Sequence, residues 1–210
     1  MTGVLRDVSI ILGTGTPEWP DDTPYSCGWT WAIANGASVN VSAYTASPHV
    51  GTHADAPLHV RDGWIASHEL PLDAFVGPAQ VCGVVAGRAA LGVRDLTGLP
   101  PGGRIERLIV RTGHTIARGT FPAWWPALTP EAVDELVGRG LRLLALDAPS
   151  VDARESTALE VHVALFSAGA FNLENLDLRG VPDGAYELLA LPLRIEGLDA
   201  APARAVLRAP

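Results

Sequence analysis

The chain has no lysine. All 15 basic residues are arginine, against 23 acidic ones, for a formal net charge of −8 and a pI near 5.1. No basic stripe or basic amphipathic helix is visible. Phosphate backbones need a basic face, so the composition argues against nucleic acid as a partner. It argues equally against an anionic membrane surface. Cysteine is scarce: Cys27 and Cys82 are too few for a disulfide framework and fit a reducing cytoplasm. Neither has a histidine near it in sequence, and both read as small buried hydrophobes. No run reaches the ~20 apolar residues of a membrane span. The apolar opening is short and broken by Asp7, which predicts a first strand and not a signal peptide. Charged residues make up 18% and apolar residues 48%, so disorder is not expected. No repeat, charged block or low-complexity linker divides the chain, and residues 1–210 are expected to form one domain with its own core.

Short apolar runs flanked by Gly or Pro predict strands over Arg6–Leu12, Ala37–Tyr44, Ala79–Val85, Ile105–Arg111, Leu141–Leu146 and Tyr186–Leu191. One helix is signalled by Thr129 as N-cap, Pro130 in first position and an apolar stripe of Ala132, Val133, Leu136 and Val137, ending at Gly138 or Gly140. A second is expected over Ala158–Ala168, with Thr157 and Glu160 at capping-box spacing, Gly169 as its stop and His162 in its first turns. Many strands and few helices predict a mixed α/β domain with a substantial sheet. Two Pro-rich loops carry tryptophan, Thr16–Pro24 with Trp19 and Phe121–Pro126 with Trp124 and Trp125. They read either as pocket walls or as covers of the core.

What the chain does have is a concentration of donors. His49-Val-Gly-Thr-His53-Ala-Asp55-Ala-Pro-Leu-His59 holds three of its six histidines and an aspartate. Imidazole and carboxylate are first-row metal ligands, and histidine is the side chain best suited to proton transfer near neutral pH. The four donors fall on odd positions and would share one face of a strand. Such a strand would span ~33 Å from His49 to His59, too far for one site. The segment must therefore bend if all act together, which Gly51 and Pro57 permit. His53 and Asp55 alone could meet one metal from a short extended stretch. There are no thiolates for a zinc finger, and the flanking prolines exclude the helical His-Glu-x-x-His pattern. His49, His53 and Asp55 could hold a metal with an open position, and His162 and Glu174 are the best candidates for further ligands. The alternatives are a histidine-rich surface loop or core histidines satisfied by hydrogen bonds. His68 and His114 read as surface or loop residues. Asp21 and Asp22 read as turn residues, and Asp147 as a residue that can shape the site from a strand end.

These segments resemble the metal-dependent cyclase-type hydrolases, and within them the bacterial kynurenine formamidase (arylformamidase) branch. The resemblance spans essentially the whole chain. It rests on Trp19–Pro24, Ser47–His59, Asp147–Asp152, His162, Glu174–Leu176, Tyr186–Leu193 and Gly197–Ala200. The chain departs from the pattern at Ala148, where a hydroxyl-bearing residue is expected, and at Glu160 near His162. The resemblance implies a swivelling β/β/α fold, usually dimeric, and two divalent metal ions, zinc first and Mn²⁺, Co²⁺ or Cd²⁺ as alternatives. It implies His49 and His53 on one metal, His162 on the other, Asp55 and Glu174 bridging both, His59 as proton donor and acceptor, and Trp19 against the substrate. The implied reaction is hydrolysis of N-formyl-L-kynurenine to L-kynurenine and formate, in tryptophan breakdown by a cytoplasmic homodimer. The rivals are a related amide hydrolase such as an isatin hydrolase, a non-catalytic metal-binding protein, and a thiol hydrolase using Cys27 or Cys82.

Overall fold

A computed structural model describes residues 3–209. In chain order its strands are β1 (Leu5–Asp7), β2 (Ser26–Trp31), β3 (Val41–Thr45), β4 (His53–Asp55), β5 (Val76–Val84), β6 (Ala90–Leu91), β7 (Leu96–Thr97), β8 (Arg107–Arg111), β9 (Ala127–Leu128), β10 (Leu143–Leu146), β11 (Phe171–Leu173), β12 (Gly184–Pro192) and β13 (Ala200–Arg208). Two α-helices are described, α1 (Pro130–Gly138) and α2 (Glu160–Ser167). No helix is long and apolar enough to cross a membrane among the described residues. The main sheet runs β1-β13-β12-β5-β8-β10-β11. Its first half is antiparallel, whereas β5, β8, β10 and β11 are parallel. The parallel half is where the near-continuous apolar runs lie, since strands covered on both faces have no polar side to show. Leu108, Ile109, Leu143 and Leu173 are fully buried there. The mixed α/β architecture is the expected one.

The sheet curls until its two ends meet. β4 pairs with β13 at one end, with Ala200 opposite Asp55 and Pro202 opposite His53. His53 also bridges to Glu174, just beyond β11 at the other end. The Glu174 amide donates to the His53 carbonyl at 2.9 Å, and the His53 amide to the Glu174 carbonyl at 3.4 Å. A second stitch lies beside it: Val8 donates to Ala205, and Asp177 donates to Val8. The donor-rich segment therefore forms the seam.

Several boundaries differ from the sequence reading. The first strand stops at Asp7, and beyond it only Ser9 makes an isolated bridge, to Leu176. Strands β2 and β13 carry Gly, Pro or Arg that break an alternating pattern, and they escape it. Helix α1 follows its cap, with the Ala132 amide donating to Thr129 Oγ1 at 3.2 Å. The Thr157–Glu160 capping box does not form: the N-cap is Leu159 at φ +49°. Asp152 supplies the cap from outside, taking the Val161 amide at 2.9 Å and the His162 amide at 3.1 Å. An ionised carboxylate at a helix N-terminus is a stronger acceptor than a hydroxyl. Cys82 is buried as expected, but Cys27 is exposed, as is every residue of strands β2 and β3.

Candidate metal centre and its cavity

His53 and Asp55 alternate on β4, so both side chains leave the same face, and both are 1% exposed. The bend comes from Gly51, at φ +75°, a conformation that favours glycine. It folds His49 back beside them. The second bend is the single 3-10 turn Pro57–His59, which brings His59 to the same side. The ~33 Å of an extended segment is thus collapsed into one cluster.

The cluster has two foci. At the first, Asp55 Oδ1 lies 3.0 Å from His49 Nδ1 and 3.2 Å from His53 Nε2, and those two nitrogens are 3.2 Å apart. His53 Nδ1–H donates to the Gly51 carbonyl at 2.9 Å, which leaves Nε2 as a lone pair in the neutral ring. His49 Nε2–H donates to Asp199 Oδ2 at 2.9 Å, which does the same for its Nδ1. At the second focus, His162 Nδ1–H donates to Asp152 Oδ2 at 2.6 Å, and its Nε2 faces Asp55 Oδ2 at 3.1 Å and Glu174 Oε1 at 3.4 Å. Glu174 Oε2 reaches back to His53 Nε2 at 3.6 Å. Each carboxylate therefore presents one oxygen to each focus. Lone pairs converging like this repel unless a cation lies between them. Two donors ~2.1 Å from one tetrahedral ion stand ~3.4 Å apart, close to the separations here. Asp55 Oδ1 is buried with no hydrogen-bond donor among the described residues, the orphan such an ion would satisfy. His49, Asp55 and His59 also offer ligand atoms within 4.8 Å of one another, as do His53, Asp55 and Glu174. On these observations the residues fit divalent cations.

The electrostatics agree. Burial pulls His49 toward its neutral form, but the Asp199 and Asp55 carboxylates beside its two nitrogens outweigh it and push its pKa up to about 10. Burial likewise opposes the rise of His162, but Asp152, Asp55 and Glu174 outweigh it and lift its pKa well above the ordinary imidazole range. Asp55 is held well below the carboxylate range against the cost of its burial, by His53, His162 and His49. Asp199 is lowered by its hydrogen bonds to His49 and His59. The carboxylates demand positive charge at these nitrogens, and protons and metals compete for the same lone pairs.

A cavity of about 300 Å³ opens on the cluster, with His49, His53, His59, His162 and Glu174 on its floor. Trp19 and Phe121 face it from the two Pro-rich loops, in edge contact at 5.4 Å between ring centroids. Trp125 is buried behind Trp19 and donates its indole N–H to the Asp152 carbonyl. Trp124 stays outside the lining and packs at a tilt against His114, with ring centroids 4.4 Å apart. Asp147 is also outside it. Its carboxylate receives the Thr112 and Gly113 amides, at 2.7 and 2.9 Å, and so ties down that loop.

Three contributors were not singled out from sequence. Asp152 orients His162, Asp199 joins His49 to His59, and the Asn172 amide donates to both Asp55 Oδ2 at 2.6 Å and Glu174 Oε1 at 2.8 Å. Asp22, read as a turn residue, lines the cavity as well. Asp152 and Asp199 lie within segments that carry the family resemblance. Asn172 sits in an apolar alternation, with nothing but the bridging role to mark it.

A curled mixed sheet with such a donor cluster at its seam defines the metal-dependent hydrolase class. The chain belongs to the putative cyclase family, whose profile matches residues 6–153. Kynurenine formamidase of Paracidovorax citrulli is 41% identical over 217 residues, covering 99% of this chain and 97% of the relative. That of Salinibacter ruber is 41% identical over 211 residues, covering 97% of each. Among solved structures, a potential metal-dependent hydrolase with cyclase activity matches with a TM-score of 0.82 at 27% identity, over 99% of both chains. Isatin hydrolase A from Labrenzia aggregata, bound to benzyl benzoate, shares the fold at TM-score 0.81 and 24% identity, over 97% of this chain and 93% of that one.

Proposed function

We propose that this chain is an arylformamidase that hydrolyses N-formyl-L-kynurenine to L-kynurenine and formate, in tryptophan breakdown. The observation that carries the reading is the double focus of His49, His53, Asp55, His162 and Glu174 beneath an aromatic wall, with His59 beside it. Its support is full-length similarity to kynurenine formamidases. The ligand assignment is His49 and His53 on one ion, His162 on the other, and Asp55 and Glu174 across both. Two divalent ions so held, zinc being our choice, would lower the pKa of water toward ~7 and polarise the formyl oxygen.

The protein's own residues do the rest. Trp19 and Phe121 confine the aryl ring and turn its formamide toward the floor. Asp152 and Asp199 fix the ring tautomers of His162 and His49. Water oxygen adds to the formyl carbon, the C–N bond breaks, and the departing nitrogen must gain a proton. Through Nε2, His59 takes the proton that the water gives up and returns it to that nitrogen, acting as general base and then as general acid. Its Nδ1–H donates to Asp199 Oδ2 at 3.2 Å, which leaves Nε2 for the reacting atoms. We also read residues 1–210 as one domain, working in the cytoplasm as a homodimer joined through the exposed β2–β3 hairpin.

The test is hydrolysis of N-formyl-L-kynurenine by purified protein, before and after a chelator and after metal add-back. Activity lost and then restored supports the reading. A metal-loaded protein that opens isatin faster than it deformylates N-formyl-L-kynurenine would replace it with the isatin-type alternative.

A further inference from the structure

The cavity carries one ionisable side chain that the proposed hydrolysis does not use. Asp22 lines it, while the other ionisable lining groups belong to the donor cluster. The turn explains how it gets there. The Asp22 amide donates to the Trp19 carbonyl at 3.0 Å, Pro20 occupies the second position, and Asp21 takes φ +70° in the third. These are the marks of a type II turn, which brings its first and fourth residues together. Trp19 and Asp22 thus face the cavity from one wall. The Thr23 amide holds Asp22 Oδ1 at 2.6 Å, and the Thr23 carbonyl is tied to the Ser47 amide at 3.1 Å. Asp22 has no ion-pair partner among the described residues, and its Oδ2 accepts no hydrogen bond from them. No arginine lines the cavity. Arg154, the guanidinium beside this wall, lies over the Phe121 ring and donates to the Pro122 and Ala123 carbonyls.

We propose that Asp22 is a specificity-determining residue whose carboxylate receives the ammonium group of an amino-acid tail. The site then selects aryl formamides with a cationic side arm over those with only an anionic one. The proposal rests on the formamidase reading, since it assumes an aryl ring against Trp19. A fixed carboxylate with no cation of its own attracts an ammonium and repels a lone carboxylate, and the wall offers no guanidinium to reverse that preference.

The test compares N-formyl-L-kynurenine with N-formylkynuramine, which keeps the ammonium and lacks the carboxylate, and with 4-(2-formamidophenyl)-4-oxobutanoate, which keeps only the carboxylate. Formanilide, with no tail, is the control. The ammonium-bearing pair should share a kcat/KM within about threefold, with the deamino acid about tenfold or more below, mainly through KM. Asp22→Asn should erase that gap and leave formanilide unchanged. Equal losses on all substrates, or a wild type that prefers the deamino acid, would overturn the assignment. Binding of L-kynurenine to the metal-free protein, followed by tryptophan fluorescence, separates the two readings. A protein inactive on every formamide fails as a formamidase. If it still binds L-kynurenine about tenfold more weakly after Asp22→Asn, the ammonium site stands; unchanged binding removes it.

Discussion

Strands β3 and β4 flank the same histidine loop and are built in opposite senses. β3 is exposed at every residue and carries Val41 and Tyr44, the latter 59% exposed. β4 is buried at every residue and carries His53 and Asp55. Ordinary packing puts apolar groups in and ionisable groups out, so each strand is half of an inversion. A buried ionisable cluster is tolerable only when its charges are met, and here the missing partner is a cation. An exposed apolar hairpin is marginal by itself, and Trp29, Trp31 and Ile33 stand out on it with β3. In the homodimer we propose, a second copy of this chain would bury that surface. One loop therefore joins a buried strand of ionisable donors to an exposed strand with apolar side chains.

The largest effect should come from breaking the β4 side. Asp55→Ala removes the carboxylate that faces both foci. We expect turnover to vanish and bound metal, read by elemental analysis, to fall below one ion per chain; full metal content would refute the bridging role. His59→Ala comes next, with a drop of ~10²–10⁴ in kcat, the range of a lost general acid. Metal content should stay at the wild-type level, and its loss would make His59 a ligand. Asp199→Asn keeps both histidines and removes only the charge that orients them. A fall of about 10–100-fold is expected, as for other groups that hold a ligand in place. A variant with wild-type kcat and wild-type metal content would leave Asp199 without a role.

The difference between the two strands also shows what sequence can carry. The histidine spacing and the flanking Gly51 and Pro57 announced a bent donor cluster, because ligand chemistry is local and bends have residue signatures. The cap at Thr129 was legible for the same reason. Asp152 and Asp199 were not, since their roles depend on long-range register: β13 must lie against β4 before Asp199 meets His49 and His59. The hairpin was hidden for a different reason. Trp29 and Trp31 carry no local signal of their exposure, which follows only from the fold, where the described residues leave them open.

The metal-free protein gives a gentler test of the buried half. His49, with a pKa raised from 6.5 to about 10, adds stability that is complete below 6.5 and is lost as pH climbs toward 10. Asp199 works the other way, being lowered from 3.8, so its contribution holds above 3.8 and disappears in acid. The melting temperature of stripped protein should therefore fall between pH 6.5 and pH 9.5, by several degrees. Metal-loaded protein should lack that decline, since the ion takes the place of the proton. Parallel curves for the two forms would mean that the donors do not share their lone pairs with a metal.

The exposed half should matter least to chemistry and most to assembly. The double substitution Trp29→Ser and Trp31→Ser removes two large apolar surfaces from the hairpin and touches no group that lines the cavity. If a second chain covers the hairpin, sedimentation velocity should show the wild type as a dimer at micromolar concentration. The variant's dissociation constant should rise by ~10²-fold or more, as when aromatic anchors leave an interface. Activity measured above that constant should change by less than about threefold, because the loop that follows β3 is held by contacts of its own. The Ser47 amide donates to the Thr23 carbonyl, and Thr52 Oγ1 to the Asn175 carbonyl. A wild type that sediments as a monomer at all concentrations would show that the hairpin meets no second copy. A variant that dimerises normally would move the interface elsewhere. A variant that loses activity in step with its dimer would show instead that the two inverted strands are coupled, with the partner chain completing the site that β4 begins.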